Sequence, residues 1–209
     1  IAMNSPDPGL FPLNGNLAGG SDRDGHFRMI YHGTIAERLG VDLTVRAVAK
    51  LRTEIPGLEL HIWSKSSAAM DGIERLAEEL DIPGKVRLLR GGVPLEQLAE
   101  ALKIMDLGIV SNRKGVATDL MLPVKLLEYV ALGIPVVAPR LKCIQHYFTE
   151  SMVSFFEPEN IDSMAAAILA LYRDSERRQE QARRAKVFIE RYGWEHHKQD
   201  LIRMYDNLW

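Results

Sequence analysis

The chain contains a single cysteine, Cys143, so no disulfide can form within it, and a reducing, cytoplasmic setting is the expectation. Aromatic side chains are scarce at 7%, and no apolar run approaches the ~20 residues of a membrane span. Neither charge sign dominates: 26 Lys and Arg stand against 28 Asp and Glu, so nothing in the bulk charge favours nucleic acid. The first ten residues lack the basic start and apolar centre of a signal peptide, and no Met precedes Ile1. A piece of a longer protein is therefore expected. Several motifs are missing too. There is no G-x-G-x-x-G of dinucleotide enzymes, no P-loop and no G-x-S-x-G elbow. No His and carboxylate residues have metal-ligand spacing, so no metal site is expected. What remains, 46% hydrophobic and 26% charged over 209 residues, is ordinary globular composition with enough chain for one core.

The opening stretch carries Pro6, Pro8, Gly9, Pro12, Gly15, Gly19, Gly20 and Gly25, a density of breakers that prevents regular structure. Residues 1–26 thus read as a linker or arm, loosely packed or docked as a strap, and 27–209 as the domain. Beyond the arm, short β-type runs alternate with helical spacing. Strands are expected at 28–32, 58–63, 86–89, 106–110, 135–138 and 152–156. Helices are expected at 41–51, 73–80, 95–102, 123–132, 161–172, 176–191 and 194–208. Such alternation implies an α/β fold: one Rossmann-like domain, with a parallel sheet of about six strands and helices on both faces. Ligands then bind outside the carboxyl ends of the strands, in loops 33–40, 64–70, 90–94, 111–123 and 139–143.

The most informative segment is Leu122 to Pro139, LPVKLLEYVALGIPVVAP. Pro123 suits the first helical turn and Gly133 the left-handed residue that ends it. Val124, Leu127 and Ala131 form the inward face. Lys125 falls in the first turn, where the helix dipole disfavours a cation unless an anion is bound there. It reads either as a solvated lysine or as a ligand of that anion. Glu128, set among apolar neighbours, needs a hydrogen-bond donor, and a ribose diol or a structural cation would serve.

This block resembles the signature of the group-one, retaining, nucleotide-sugar-dependent glycosyltransferases. The stretches YHGTIAERLGVDLTVRAVAKL, LELHIW, KVRLLRGGVPLEQLAEALKIMDLGIVSN and YGWEHHKQDLIRMYDNL are similar to the same family's C-terminal domain, and NSPDPGLF resembles its interdomain stretch. The resemblance implies the C-terminal half of a GT-B fold. It implies a nucleoside-diphosphate sugar as donor, no obligatory cofactor or metal, and an acceptor held by an N-terminal domain with no counterpart here. It places Glu128 on the donor ribose, and the diphosphate against the amides of Gly33, Thr34 and residues 121–124, with Leu122 and Pro123 lining the same place. The family's E-x7-E would put its first Glu at Leu120, so Asp119 next door is the candidate replacement. Its loop Arg and Lys would fall at Thr34 and Leu39, leaving Arg38 either to substitute or to lie on the surface.

Two further loops belong to this reading. Arg90-Gly91-Gly92 borders the base or is a plain turn, and Lys65, after the second strand, can reach phosphate. The basic stretch from Arg173 to Arg191 reads as a solvated helix face rather than an anionic-lipid contact. Trp63 is expected in the core, Trp194 to cap the last helix against the domain, and Trp209 to be a terminus. The function expected is donor binding within a sugar transferase, with the isolated chain inactive. The alternatives are a non-catalytic nucleotide-sugar-binding module and an epimerase-like domain.

Overall fold

The computed structural model describes residues 4–12 and 25–206. Much of the expected arm, and Trp209, lie outside the described residues. Six strands, β1 (Phe27–His32), β2 (Leu58–Ser64), β3 (Val86–Arg90), β4 (Leu107–Ile109), β5 (Val136–Pro139) and β6 (Ser154–Phe156), form one sheet. Their order is β3-β2-β1-β4-β5-β6, and every neighbouring pair is parallel. The helices are α1 (Val41–Leu51), α2 (Ala68–Glu79), α3 (Leu95–Leu102), α4 (Val116–Leu120), α5 (Val124–Ala131), α6 (Lys142–Tyr147), α7 (Ile161–Arg173), α8 (Ser175–Tyr192) and α9 (Trp194–Asp206).

Alternation along β1 shows how the layers arise. Phe27, Met29 and Tyr31 enter one core with the buried faces of α1, α2 and α7, while Ile30 enters a second core with α3, α5 and α8. Strands β4 and β5 are buried on every residue, as a parallel strand covered on both faces must be. The edge strand β3 is the exception, with Arg87, Leu89 and Arg90 exposed. The chain builds outward from β1 through β2 to β3, then crosses back to place β4 on β1's other side. The β1/β4 boundary is thus a topological switch point, open at the carboxyl ends of the strands.

The local signals in the sequence account for most helix ends. Ser67, Asn160 and Asp174 cap α2, α7 and α8 through their side chains. Gly133 has φ +71, and the amides of Gly133 and Ile134 close the end of α5 onto the carbonyls of Val130 and Tyr129. Four expectations need correction. Loops 111–123 and 139–143 contain α4 and α6, which each bury one residue, Thr118 and Ile144, and so leave no periodic signal. Helix α2 begins at Ala68 rather than Ile73. Val124 is exposed, because the face of α5 that turns inward centres on Leu126, Leu127 and Val130. Trp194 opens α9 exposed to solvent instead of covering the domain body.

The cations of 173–191 are largely engaged within the chain. Arg173 pairs with Glu54, Arg183 and Arg184 with Glu180, and Arg178 donates to the carbonyls of Leu171 and Tyr172 that end α7. Among the described residues no helix is long and apolar enough to cross a membrane.

Residues 4–12, the described part of the arm, are docked. Asp7 turns the chain by accepting from the amides of Gly9, Leu10 and Phe11, and Phe11 is 3% exposed in the same core as Phe148 and Phe188. Phe11→Ala is expected to cost about 3 kcal/mol of stability, read as a lower urea midpoint. An unchanged midpoint would show that this segment contributes nothing to the core.

Candidate functional site

The carboxyl ends of β1, β2 and β3 enclose a cleft of about 410 Å³. His32, Gly33 and Thr34 line it from β1, Trp63, Ser64 and Lys65 from β2, and Gly91 and Gly92 from the turn after β3. The ladder continues to its rim, where Gly33 N donates to Trp63 O (2.9 Å) and Gly91 N to Ser64 O (3.0 Å). Gly33 is therefore not a free amide donor, contrary to expectation. Its φ of +102 shapes the turn, and the end of Lys125 lies beneath it.

The loop after β1 is bound tightly to the loop after β4. Ser111 Oγ donates to Leu39 O, and Arg113 reaches Arg38 O through its amide, Glu37 O through Nε and Asp42 Oδ2 through Nη2 (2.6 Å). Gly40, at φ +62, lies so close that a Cβ there would fall 2.1 Å from Ser111 O. From inside, the Tyr31 hydroxyl donates to Thr34 O at 2.6 Å. Burial pushes that hydroxyl well above its ordinary range, with the charge of Arg38 opposing.

Helix α5 brings two ionisable groups to the switch point. Pro123 precedes it with φ −66 and no side chain caps it, so its first amides lack side-chain acceptors. A lysine ordinarily lays its methylenes on the protein and keeps its ammonium in water. Lys125 does the reverse: the residue is only half-buried, yet Nζ is buried and makes no hydrogen bond among the described residues. The ammonium sits 3.5 Å from the centroid of the Tyr31 ring, and a Cβ on Gly33 would stand 3.7 Å from it. Burial lowers its pKa to about 7, opposed only in part by Glu128. Glu128 is buried, with Oε2 3.1 Å from His32 Nε2, within ion-pair range but not aligned as a hydrogen bond.

The structure thus gathers Gly33, Thr34 and Lys65 at the cleft, with Lys125 and Glu128 beside it. Pro123 is buried at the start of α5, and Leu122 packs on the core next to it. Arg90 turns away, pairing with Asp71 (2.7 Å) and Glu74 (2.6 Å) of α2, so only the two glycines of its loop line the cleft. Arg38 is exposed on a single 3-10 turn, 37–39, outside the lining residues. Asp119 Oδ1 accepts a long bond, 3.4 Å, from Lys142 N at the start of α6, while Leu120 is 76% exposed. Trp63 is buried as expected, with one edge on the cleft. Sequence reasoning missed Tyr31, His32 and Asn112. The first two end β1 in YHG, a position that could have flagged them. Asn112, 1% exposed with neither amide atom bonded among the described residues, gives no signal in sequence. Among the described residues no group of three or more His, Cys, Asp or Glu is placed to hold a metal ion.

Residues 26–174 match the family described as Glycosyl transferases group 1. The chain is 25% identical over 194 residues to a phosphatidyl-myo-inositol mannosyltransferase of Mycolicibacterium smegmatis, covering 92% of this chain and 48% of that protein. It is 25% identical over 185 residues to a D-inositol 3-phosphate glycosyltransferase of Corynebacterium urealyticum, covering 84% and 42%. The chain therefore spans about half the length of these curated relatives. In fold it resembles the sucrose-phosphate synthase of Thermosynechococcus elongatus, with a TM-score of 0.79 at 19% identity, over 99% of this chain and 52% of that one. It also resembles Anabaena HepE in complex with UDP and glucose, with a TM-score of 0.72 at 14% identity, over 88% and 49%.

The buried ammonium of Lys125 makes a signed prediction about stability. The unfolded lysine keeps its proton to about pH 10.5, whereas the folded one releases it near 7. Between those values unfolding takes up a proton, so this group's contribution to stability rises with pH, from a full penalty below 7 to none above 10.5. Lys125→Met should accordingly be more stable than the parent by roughly a few kcal/mol at pH 6.5, with the gap closing towards pH 10. Urea denaturation at both pH values measures it. A destabilised variant, or a gap independent of pH, would place the folded ammonium in water.

Proposed function

The chain belongs to the group 1 glycosyl transferases, and we propose that it is the donor-binding domain of a retaining enzyme. In this reading a sugar moves from a nucleoside diphosphate bound here to an acceptor held by a second, N-terminal domain, within the cytoplasm. The observation that carries it is Lys125: an ammonium buried at the uncapped start of α5, under the β1 loop, with no hydrogen-bond acceptor of its own among the described residues. A protein group kept in so unfavourable a place is explained by an anionic ligand that supplies the missing partner.

The chemistry follows from that placement. When the anomeric carbon loses its nucleoside diphosphate, negative charge grows on the phosphate oxygens, and preset cations and amides stabilise it. Lys125, the amide of Thr34 and the opening amides of α5 take this role, with Lys65 at the far side of the cleft. Glu128 accepts hydrogen bonds from the ribose diol, and the turn at Gly91 and Gly92 borders the base. No metal is required for this division of labour. Asp119, which accepts a long bond from Lys142 N at the start of α6, is the candidate for the sugar-facing group, next to the position where the family pattern puts its first carboxylate. That last point also favours a second reading, a nucleotide-sugar-binding module without catalysis, since exposed Leu120 stands where the family pattern puts a carboxylate.

Calorimetric titration with UDP, GDP and ADP, then with the matching sugar nucleotides, tests the donor site directly. One charge-assisted hydrogen-bond pair is worth ~1.5–3 kcal/mol, so Glu128→Gln should weaken nucleotide binding about tenfold or more. Unchanged affinity in a folded variant would leave Glu128 a structural partner of His32.

Transfer is a separate matter. Orienting two reactants supplies ~7–11 kcal/mol of barrier reduction, which a domain that holds only the donor forgoes. This 209-residue chain should bind the donor without turning it over, measured by mass spectrometry with any sugar nucleotide that titrates onto it. Multiple turnovers onto an added acceptor would refute the division into halves. Joining the chain to an acceptor domain and still seeing no transfer would favour the binding module.

A further inference from the structure

We propose that Tyr31 is the positioning residue of the phosphate site, its ring seating the Lys125 ammonium and its hydroxyl fixing the loop that covers it. This rests on the donor-site reading above. Tyr31 lies in the β1 layer that faces α1, α2 and α7, whereas α5 packs in the opposite layer. The Lys125 side chain nevertheless carries its ammonium across to the Tyr31 ring, 3.5 Å from the centroid. At the other end of that ring, the hydroxyl donates to Thr34 O at 2.6 Å. One side chain thus touches both parts of the site, the cation below and the loop above.

The geometry gives each half of Tyr31 its own task. The ring face is the surface in direct contact with the ammonium, and Glu128 adds Coulombic attraction, while Nζ makes no hydrogen bond among the described residues. The hydroxyl holds the Thr34 carbonyl, and with it the loop that lines the cleft. Tyr31 is fully buried, so neither contact competes with water. The charged and titratable groups around Lys125 are Glu128 and Tyr129 on α5, His32 and Tyr31 on β1, and Arg38 on the turn beyond. Among these described residues, Tyr31 contacts both the ammonium and the loop.

Tyr31→Phe and Tyr31→Leu separate the two tasks. Two readouts are taken: the titration of Lys125 in the ligand-free protein, followed by NMR of lysine labelled at Cε, and calorimetry with UDP-glucose and GDP-mannose. Tyr31→Phe keeps the ring and loses the hydroxyl, so the Lys125 midpoint should stay while sugar-nucleotide affinity falls about three- to tenfold. Tyr31→Leu removes the ring, so the midpoint itself should move, and affinity should fall further. If both folded variants keep the parent's midpoint and affinity, the proposal is overturned. A Tyr31→Leu midpoint equal to the parent's overturns the ring's part alone, and a Tyr31→Phe affinity equal to the parent's overturns the hydroxyl's part. Should Tyr31→Leu fail to fold by circular dichroism, Tyr31→Phe decides the loop's part, and Lys125→Met, lacking any titration at that midpoint, confirms which lysine is read. If the parent binds no nucleotide, the donor-site reading falls, while the ligand-free titration still tests the contact between ring and ammonium.

Discussion

How closely α5 lies on the sheet sets everything at the switch point. Gly108, in the middle of β4, has no side chain, and a Cβ there would come within 2.4 Å of the Tyr129 ring. With glycine in place the ring lies flat against the strand, and its hydroxyl donates to Ile30 O at 3.1 Å. Tyr129 is thereby tied to β1 and β4 at once, across the boundary where the chain reverses its order. Glu128 is the preceding residue and Lys125 one turn earlier, so the seat of this ring fixes where both charges stand. The Gly40 contact with Ser111 O plays the matching part for the loop after β1.

That rigid frame is what allows an unfavourable group to persist. Lys125 stands at the positive end of a helix, out of water and without a hydrogen bond among the described residues. Each of these costs free energy, and the charge of Glu128 on the same helix does not offset them in full. The surrounding core does, through Leu126, Leu127, Tyr129 and Val130, each 1% exposed or less. The domain therefore holds its cation ready at the expense of its own stability, and a ligand that completes the site returns that stability on binding. A surface cation such as Arg90 shows the alternative: exposed, doubly paired with Asp71 and Glu74, and so committed to the edge of the sheet.

The α/β alternation, the parallel sheet and the helix ends were legible in the amino-acid order because they rest on local signals. Apolar runs such as Pro135 to Ala138, and Gly133 after a periodic stretch, act over a few residues. Helices α4 and α6 were not legible, since each buries a single side chain and depends on contacts with the other. Within the site, Glu128 and Lys125 could be singled out because a carboxylate among apolar neighbours and a cation in a first turn are locally anomalous. Only its place at the end of β1 marked Tyr31, which otherwise reads as one more aromatic in a strand, and nothing local marked Asn112, which reads as one more polar residue in a loop.

By itself, then, the sequence determined the class of fold, the alternation of its strands and helices, and the bounds of the helix that carries Lys125 and Glu128, because periodicity and capping are properties of neighbouring residues. Only the tertiary structure decided that the Lys125 ammonium is buried against Tyr31, that the Gly33 amide is spent on Trp63, and that Arg90 faces α2. Each of these depends on residues between 16 and 94 positions apart that meet only when the strands are laid side by side. Spacing along a chain carries no record of such meetings, and the charge and hydrogen bonding of this site are made from them.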